Sequence, residues 1–196
     1  MLKRTFDIVF SFLGLTLVLP LFLIIAYLIK KEDSGPVLYR GTRVGRHGRP
    51  FKMLKFRTMV VNADSLGGSS TPDDDIRITK IGRFLRDKKL DELPQLMNVF
   101  RGEMSFVGPR PQVPWAVKLY NEEEKLLLSV RPGITDYASI KFRNEAEILK
   151  GSKDPDKEYL QMIAPEKIRL GLEYVKNHSF LIDMKIIFST LKAMFQ

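Results

Sequence analysis

The run IVFSFLGLTLVLPLFLIIAYLI, from Ile8 to Ile29, carries no formal charge and is rich in Leu, Ile, Val and Phe. As a straight helix it would measure about 33 Å, enough to cross the hydrocarbon core of a bilayer. It does not read as a cleaved signal peptide. The apolar stretch is too long, and Lys30, Lys31 and Glu32 stand where a small-x-small site would follow. Pro20 lies at its centre, where it removes one backbone hydrogen bond and favours a kink. Lys3 and Arg4 precede the run and Lys30 and Lys31 follow it. Positive flanks prefer the cytoplasm, so both ends are drawn to one side. A re-entrant helix-break-helix dipping into one leaflet satisfies both ends, and a kinked single span is the alternative. No second run of this length follows. The expectation is therefore a re-entrant anchor over 1–31 and one compact cytoplasmic domain over 32–196, α+β and mostly helical, with a small β-hairpin and interfacial amphipathic helices.

The 196 residues are ample for a hydrophobic core. Lys and Arg number 32 against 23 Asp and Glu, a net charge of +9, which points to an anionic partner: nucleic acid, anionic lipid or a phosphorylated substrate. The absence of cysteine excludes disulfides and thiolate metal sites. His47 and His178 are isolated, and no internal repeat, P-loop or Ser-His-Asp arrangement is present.

After the anchor, Asp33-Ser34-Gly35-Pro36 signals a turn. Val37 to Val44 and Phe51 to Met59 then read as two strands of a hairpin. Arg40, Arg43, Arg46, Arg49, Lys52, Lys55 and Arg57 make this segment basic without one acidic residue. It suits anionic headgroups, and Lys55 and Arg57, alternate on a strand, share a face that a phosphorylated ligand could meet while Phe56 points away. Asn62 to Asp75 is polar and aperiodic, a loop that could close over a site. Thr79 is a candidate N-cap for a helix over Lys80 to Lys89 with an apolar stripe of Ile81, Phe84 and Leu85.

Leu90-Asp91-Glu92-Leu93-Pro94 follows, ahead of Leu96, Met97 and Phe100 at helical spacing. Proline suits a first helical turn, so Asp91 and Glu92 fall at the positive end of a helix dipole, a place equally attractive to a phosphate or a metal. Arg86 is close enough in sequence to share their pocket. Gly102 to Pro111 reads as irregular, and Pro109-Arg110-Pro111 as a stiff turn holding one guanidinium in place. Trp115 to Leu128 and Pro165 to Val175 read as amphipathic helices, Tyr137 to Phe142 as a short strand, and Lys150 to Lys157 as a polar surface loop. The last helix, Leu181 to Phe195, either lies in the interface or caps the core.

The chain resembles the bacterial sugar transferase family, the monotopic phosphoglycosyl transferases, over nearly its whole length. The matching residues are Lys3-Arg4-x-Phe6-Asp7, Gly35-Pro36-Val37, Lys55-Phe56-Arg57-Thr58-Met59, Arg77-Ile78-Thr79, Phe84-Leu85-Arg86 and Leu90 to Leu96. They continue with Met104 to Pro111, Pro132-Gly133-Ile134-Thr135 and Arg143-Asn144. The resemblance implies transfer of a sugar phosphate from a UDP-sugar to polyprenol phosphate with release of UMP, on the cytoplasmic face of the bacterial inner membrane. It implies an Asp-Glu dyad with Mg²⁺: Asp91 as nucleophile and metal ligand, Glu92 as its supporting carboxylate. Lys55, Arg57, Arg86, Arg110, Arg143 and Asn144 are then candidates to hold substrate, with Pro109 and Pro111 stiffening the nucleotide seat. Nucleic acid is not expected as a partner on this reading; inner-membrane lipid is, and a homodimer stays open. Two departures stand out. Leu19-Pro20 replaces the usual Ser-Pro at the membrane break, leaving Thr16 as the nearby hydroxyl. Asp136-Tyr137-Ala138-Ser139-Ile140 replaces the common Gly-Trp-Ala-Gln-Val, a region that bears on sugar identity.

The rival class is a membrane-anchored basic module binding nucleic acid or anionic lipid without catalysis. Net charge supports it equally, but it does not account for Asp91 and Glu92 set among basic residues, where carboxylates repel phosphate unless a metal intervenes. Within enzymes, a second rival keeps the dyad and uses Glu92 as a base for direct attack by the lipid phosphate.

Overall fold

A computed structural model describes residues 1–66 and 70–194. Gly67, Gly68 and Ser69 of the expected 62–75 loop, and Phe195 of the last helix, lie outside the described residues. The domain is mostly helical with one antiparallel hairpin, as its sequence suggests.

The apolar run lies inside a single helix, α1 (Leu2–Asp33), with Pro20 within it. The expected break between two helices is therefore not a break in secondary structure. Proline deletes one N–H donor while its fixed φ remains helical, so a helix can pass through it. Thr16 Oγ1 donates to the Phe12 carbonyl, one turn back, and is not used on the carbonyl that Pro20 leaves without its helical donor. Both ends of α1 dock on the globular domain. At the first end Lys3 Nζ donates to the Val107 carbonyl at 2.9 Å and Asp183 Oδ2 at 2.6 Å, Arg4 Nη1 donates to the Val99 carbonyl at 2.7 Å, and Asp7 accepts from Ser105 Oγ and the Phe106 amide. At the other end Glu32 accepts from the Lys80 amide at 2.8 Å and Asp33 is ion-paired with Arg57. Between them Phe10, Phe12, Leu13, Leu17 and Leu19 stand exposed, Leu17 at 82%.

Strands β1 (Leu38–Val44) and β2 (Pro50–Phe56) pair antiparallel, Leu38 opposite Phe56 and Val44 opposite Pro50. Phe56 turns inward against Ile25, Ile29 and Leu85, the core that seats the second half of α1. Leu85 belongs to α2 (Lys80–Asp87), where Thr79 caps the helix by accepting from the Gly82 amide at 2.9 Å. Helix α3 (Gln95–Arg101) follows directly on Pro94.

Three readings between residues 102 and 142 are corrected. The stretch expected to be irregular contains β3 (Ser105–Val107), which pairs in parallel with β4 (Gly133–Thr135). Three-residue strands are too short for an alternation to register, and their pairing spans 28 positions. The strand expected over Tyr137 to Phe142 is instead α5 (Tyr137–Lys141), because the Asp136 carboxylate accepts from the Ser139 amide at 2.6 Å and caps a helix. The helix expected over Trp115 to Leu128 is split into α4 (Pro114–Val117) and a 3₁₀ run, Glu124–Ser129. Asn121 and Glu124 exchange reciprocal side-chain-to-amide bonds that start the second piece afresh. The loop read over 150–157 is entered from α6 (Glu145–Ile148) and ends in α7 (Pro155–Glu158). A π-helical turn, Tyr159–Ile163, leads into α8 (Ala164–Asn177), and α9 (Phe180–Met194) closes the chain. Ile182, Ile186 and Ile187 of α9 cover Val107 and Tyr174, while Leu181 and Phe188 remain exposed. The last helix thus caps the core on one face and presents an apolar face outward.

Candidate active site

The dyad sits on a turn and not inside a helix. Lys89 adopts a left-handed conformation, φ 55°, which reverses the chain after α2, and Leu90–Glu92 form one 3₁₀ turn before Pro94. Leu90 and Leu93 pack on the Ile25, Ile29 and Phe56 cluster. Those two leucines fasten the turn to the anchor side, and Asp91 and Glu92 face the opposite way, into a cleft of about 2330 Å³. Single small-molecule sites occupy about 300–1,000 Å³, so the cleft has room for more than one substrate.

Lys55 reaches the dyad from β2, its Nζ 2.8 Å from Glu92 Oε1 and 3.8 Å from Asp91 Oδ2. Its neighbours Leu54 and Phe56 are buried on the other face. Asn98 of α3 fixes the strand beside the turn: its Oδ1 accepts from the Leu54 amide and its Nδ2 donates to the Lys52 carbonyl. Arg110 reaches Glu92 from the far wall, with Nη2 on Oε1 and Nη1 on Oε2 at 3.2 Å. The turn carrying Arg110 is held by backbone bonds, Gly108 N to Thr135 O at 3.1 Å and Gly133 N to Pro109 O at 3.1 Å. Asp136 completes the clamp by accepting from the Arg110 amide at 3.3 Å. The β3–β4 pair that sequence reading missed is therefore what positions Arg110.

These contacts separate the two carboxylates electrostatically. Burial pushes the Asp91 carboxyl up, Lys55 opposes the rise, and the neighbouring Glu92 charge adds to it; the net shift is upward from 3.8. For Glu92 the cost of burial is outweighed by the Arg110 and Lys55 charges and their hydrogen bonds, which hold it well below the usual carboxylate range. Glu92 is thus a fixed anion spent on two cations, and Asp91, 7% exposed, is the less committed of the pair, its contact with Lys55 being 3.8 Å. In chelator-treated protein, a ¹³C titration of the Asp91 carboxyl should have its midpoint above 3.8. Removing the Glu92 charge with Glu92→Gln should move the midpoint down, and removing the Lys55 charge with Lys55→Met should move it up.

The ten residues named from sequence all line this cleft: Asp91 and Glu92 with Lys55, Arg57 and Arg86, and across from them Pro109, Arg110, Pro111, Arg143 and Asn144. They do not all converge on the dyad. Arg57 is 7% exposed and gives its donors to Asp33 and to the Pro36 and Met59 carbonyls, tying the end of α1 to β2. Arg143 Nη1 donates to the Ala193 carbonyl near the end of α9. Arg86 donates to the Thr71 carbonyl at 3.5 Å, and its charge lowers the Asp91 carboxyl. Asn144 stands just ahead of α6, without a side-chain capping bond. Gln112, Asp136, Glu145, Tyr159 and Lys167 also line the cleft. No local pattern marks Tyr159 or Lys167, which arrive from a π-helical turn and from α8, more than 65 positions beyond the dyad.

Among the described residues no group of three or more His, Cys, Asp or Glu is gathered as a ready-made metal site. Asp91 is a single hard oxygen donor beside cations suited to phosphates, and Mg²⁺ is commonly held by one or two carboxylates with substrate phosphates completing its shell. The donor set fits that ion.

The family model described as bacterial sugar transferase matches residues 1–196. An exopolysaccharide production protein, ExoY, of Sinorhizobium fredii (strain NBRC 101917 / NGR234) is 38% identical over 206 residues, 97% of this chain and 84% of that protein. A UDP-glucose:undecaprenyl-phosphate glucose-1-phosphate transferase of Escherichia coli (strain K12) is 37% identical over 97% of this chain and 39% of its own length. A UDP-N-acetylgalactosamine-undecaprenyl-phosphate N-acetylgalactosaminephosphotransferase of Aeromonas hydrophila is 35% identical over 98% of this chain and 43% of its own length. With its whole described length matched and its dyad set among cations in one cleft, the chain is a member of the bacterial sugar transferase family.

Proposed function

We propose that this enzyme transfers a sugar phosphate from a UDP-sugar to undecaprenyl phosphate, releasing UMP, as the first membrane step in building a bacterial glycoconjugate. The observation that carries the reading is the divided dyad: Glu92 anchors Lys55 and Arg110, while Asp91 keeps a longer contact, 3.8 Å, with Lys55. The named relatives that act on UDP-sugars and undecaprenyl phosphate support the substrate classes.

In the proposed route an Asp91 oxygen attacks the phosphorus that bears the sugar. The P–O bond to UMP breaks and its electron pair leaves on the UMP phosphate oxygen, giving a phosphosugar-aspartate. An oxygen of the lipid phosphate then attacks the same phosphorus, the bond to Asp91 breaks, and the carboxylate is regenerated. Lys55 and Arg110 are placed to hold the charge that develops on the phosphoryl oxygens. Mg²⁺ bound at Asp91 would supply further neutralisation of the diphosphate. A screen of UMP release across a panel of UDP-sugars, with the protein in liposomes containing undecaprenyl phosphate, tests the class and identifies the donor; no release from any UDP-sugar would overturn it.

The proposed setting is the cytoplasmic face of the inner membrane, with 1–31 as a re-entrant anchor and 32–196 as the transferase domain. Support comes from the docking of both ends of α1 on one domain, Lys3 and Arg4 at one end and Glu32 and Asp33 at the other. A helix that crossed the bilayer would carry its two ends to opposite faces, away from a domain lying on one of them. Single cysteines placed near residues 2 and 33 should both be protected from an impermeant reagent in intact cells, and labelling of one end alone would establish a span.

A further inference from the structure

Beyond Arg110 the cleft wall carries a second polar cluster that the transfer chemistry does not use. Lys167 of α8 is ion-paired with Glu145, at the start of α6, and its side chain is only 9% exposed. Its Nζ lies 5.1 Å from the centroid of the Tyr159 ring. The Tyr159 hydroxyl donates to Gln112 Oε1 at 3.4 Å, next to the Pro109-Arg110-Pro111 turn. All four residues line the same cleft as Asp91. Tyr159 opens the π-helical turn Tyr159–Ile163, an irregularity that recurs at functional sites. Burial pushes its phenol up to about 12, so the hydroxyl keeps its proton at neutral pH.

The chemistry of this cluster is unlike that around the dyad. Glu145 and Lys167 cancel in charge, so the pair offers a phosphate little that Lys55 and Arg110 do not already supply. With Lys167 enclosed and Glu145 about a third exposed to the cleft, the pair is not a stability device in itself, since desolvating the ammonium offsets much of its attraction and two apolar side chains would join α6 to α8 as well. What it presents is an acceptor carboxylate beside a donor ammonium, flanked by a phenol and a carboxamide. That set matches neighbouring ring hydroxyls, which each donate and accept. We propose that Glu145, Lys167 and Tyr159 form a subsite that reads the hydroxyls of a carbohydrate ring of the donor, either the transferred sugar or the ribose. The proposal rests on the UDP-sugar reading of the cleft.

The test uses the full chain in liposomes with undecaprenyl phosphate and two variants. Tyr159→Phe removes one hydroxyl, and the double variant Glu145→Gln, Lys167→Met removes the pair without stranding a charge. Two ratios are read: kcat/KM for UDP-glucose against UDP-galactose, and inhibition by UMP against dUMP. If the ring is the sugar, the first ratio changes by about tenfold, and if it is the ribose, the preference for UMP over dUMP is lost by a similar factor. Both ratios unchanged, whatever the common loss of rate, would overturn the subsite and leave the transferase reading standing. Should the double variant fail to fold, the same two ratios in Tyr159→Phe decide. Absence of UMP release by the parent chain with every UDP-sugar would overturn the functional reading and the subsite with it.

Discussion

Asp91→Asn should lower UMP release from a UDP-sugar by on the order of a thousandfold or more, and Glu92→Gln should come close to it. The reasons differ. An amide at position 91 has no anionic oxygen to attack phosphorus, although it fills the same volume in a site that is 7% exposed. Glu92→Gln leaves position 91 intact but removes the anion shared by Lys55 and Arg110. Two cations that stand in fixed positions around Asp91 then lose the partner that keeps them there. Both replacements keep side-chain shape, so membrane association should stay near that of the parent; Asp91→Asn should also keep its thermal stability, whereas Glu92→Gln should lose some, because Lys55 and Arg110 are left without their shared anion. Full activity in either variant would refute the roles assigned to the dyad.

The largest expected loss of stability comes from a site without a functional group. Gly133→Ala would place its Cβ onto the Gly108 amide nitrogen and carbonyl oxygen, backbone atoms that cannot swing aside. Overpacking costs about 1–3 kcal/mol where side chains can adjust, and more where they cannot. A loss of about 3 kcal/mol corresponds to roughly 6–12 °C in Tm for a chain of this size. The contact is close because β3 and β4 run side by side under the Arg110 turn, with Gly133 N donating to Pro109 O. Activity should therefore fall with stability, since the backbone displaced is the one that carries Arg110. Thermal unfolding of the detergent-solubilised protein checks this, and a Tm within a degree or two of the parent would contradict it.

Most of what positions the site was legible where a signal is local. Thr79 ahead of a helix, alternation around Lys55, and a proline after two carboxylates each operate within a few residues, and α2, β2 and the start of α3 after Pro94 follow from them. The readings that failed depend on partners far along the chain or on one competing side-chain bond. Nothing near Ser105 announces that it will pair with Gly133. Tyr137 to Phe142 has strand-forming residues, but the Asp136 carboxylate captures the Ser139 amide and starts a helix instead. Among the site residues, charge type and motif located all ten on the cleft, yet not their working partners. Arg57 is spent on Asp33, and whether an arginine near a site faces substrate or holds two elements together depends on an acid 24 positions away. At the anchor, the break expected at Pro20 does not interrupt the secondary structure, and α1 runs from Leu2 to Asp33 with the proline inside it.

The central claim is that Asp91 carries the phosphosugar between the two substrates. Mass spectrometry of protein quenched after mixing with its UDP-sugar alone, without lipid phosphate, addresses it directly. A phosphosugar adduct on the peptide bearing Asp91, absent from Asp91→Asn and discharged when undecaprenyl phosphate is added, is the predicted result. Transfer at full rate to the lipid with no adduct detectable on Asp91 at any time would contradict it, and would favour direct attack by the lipid phosphate.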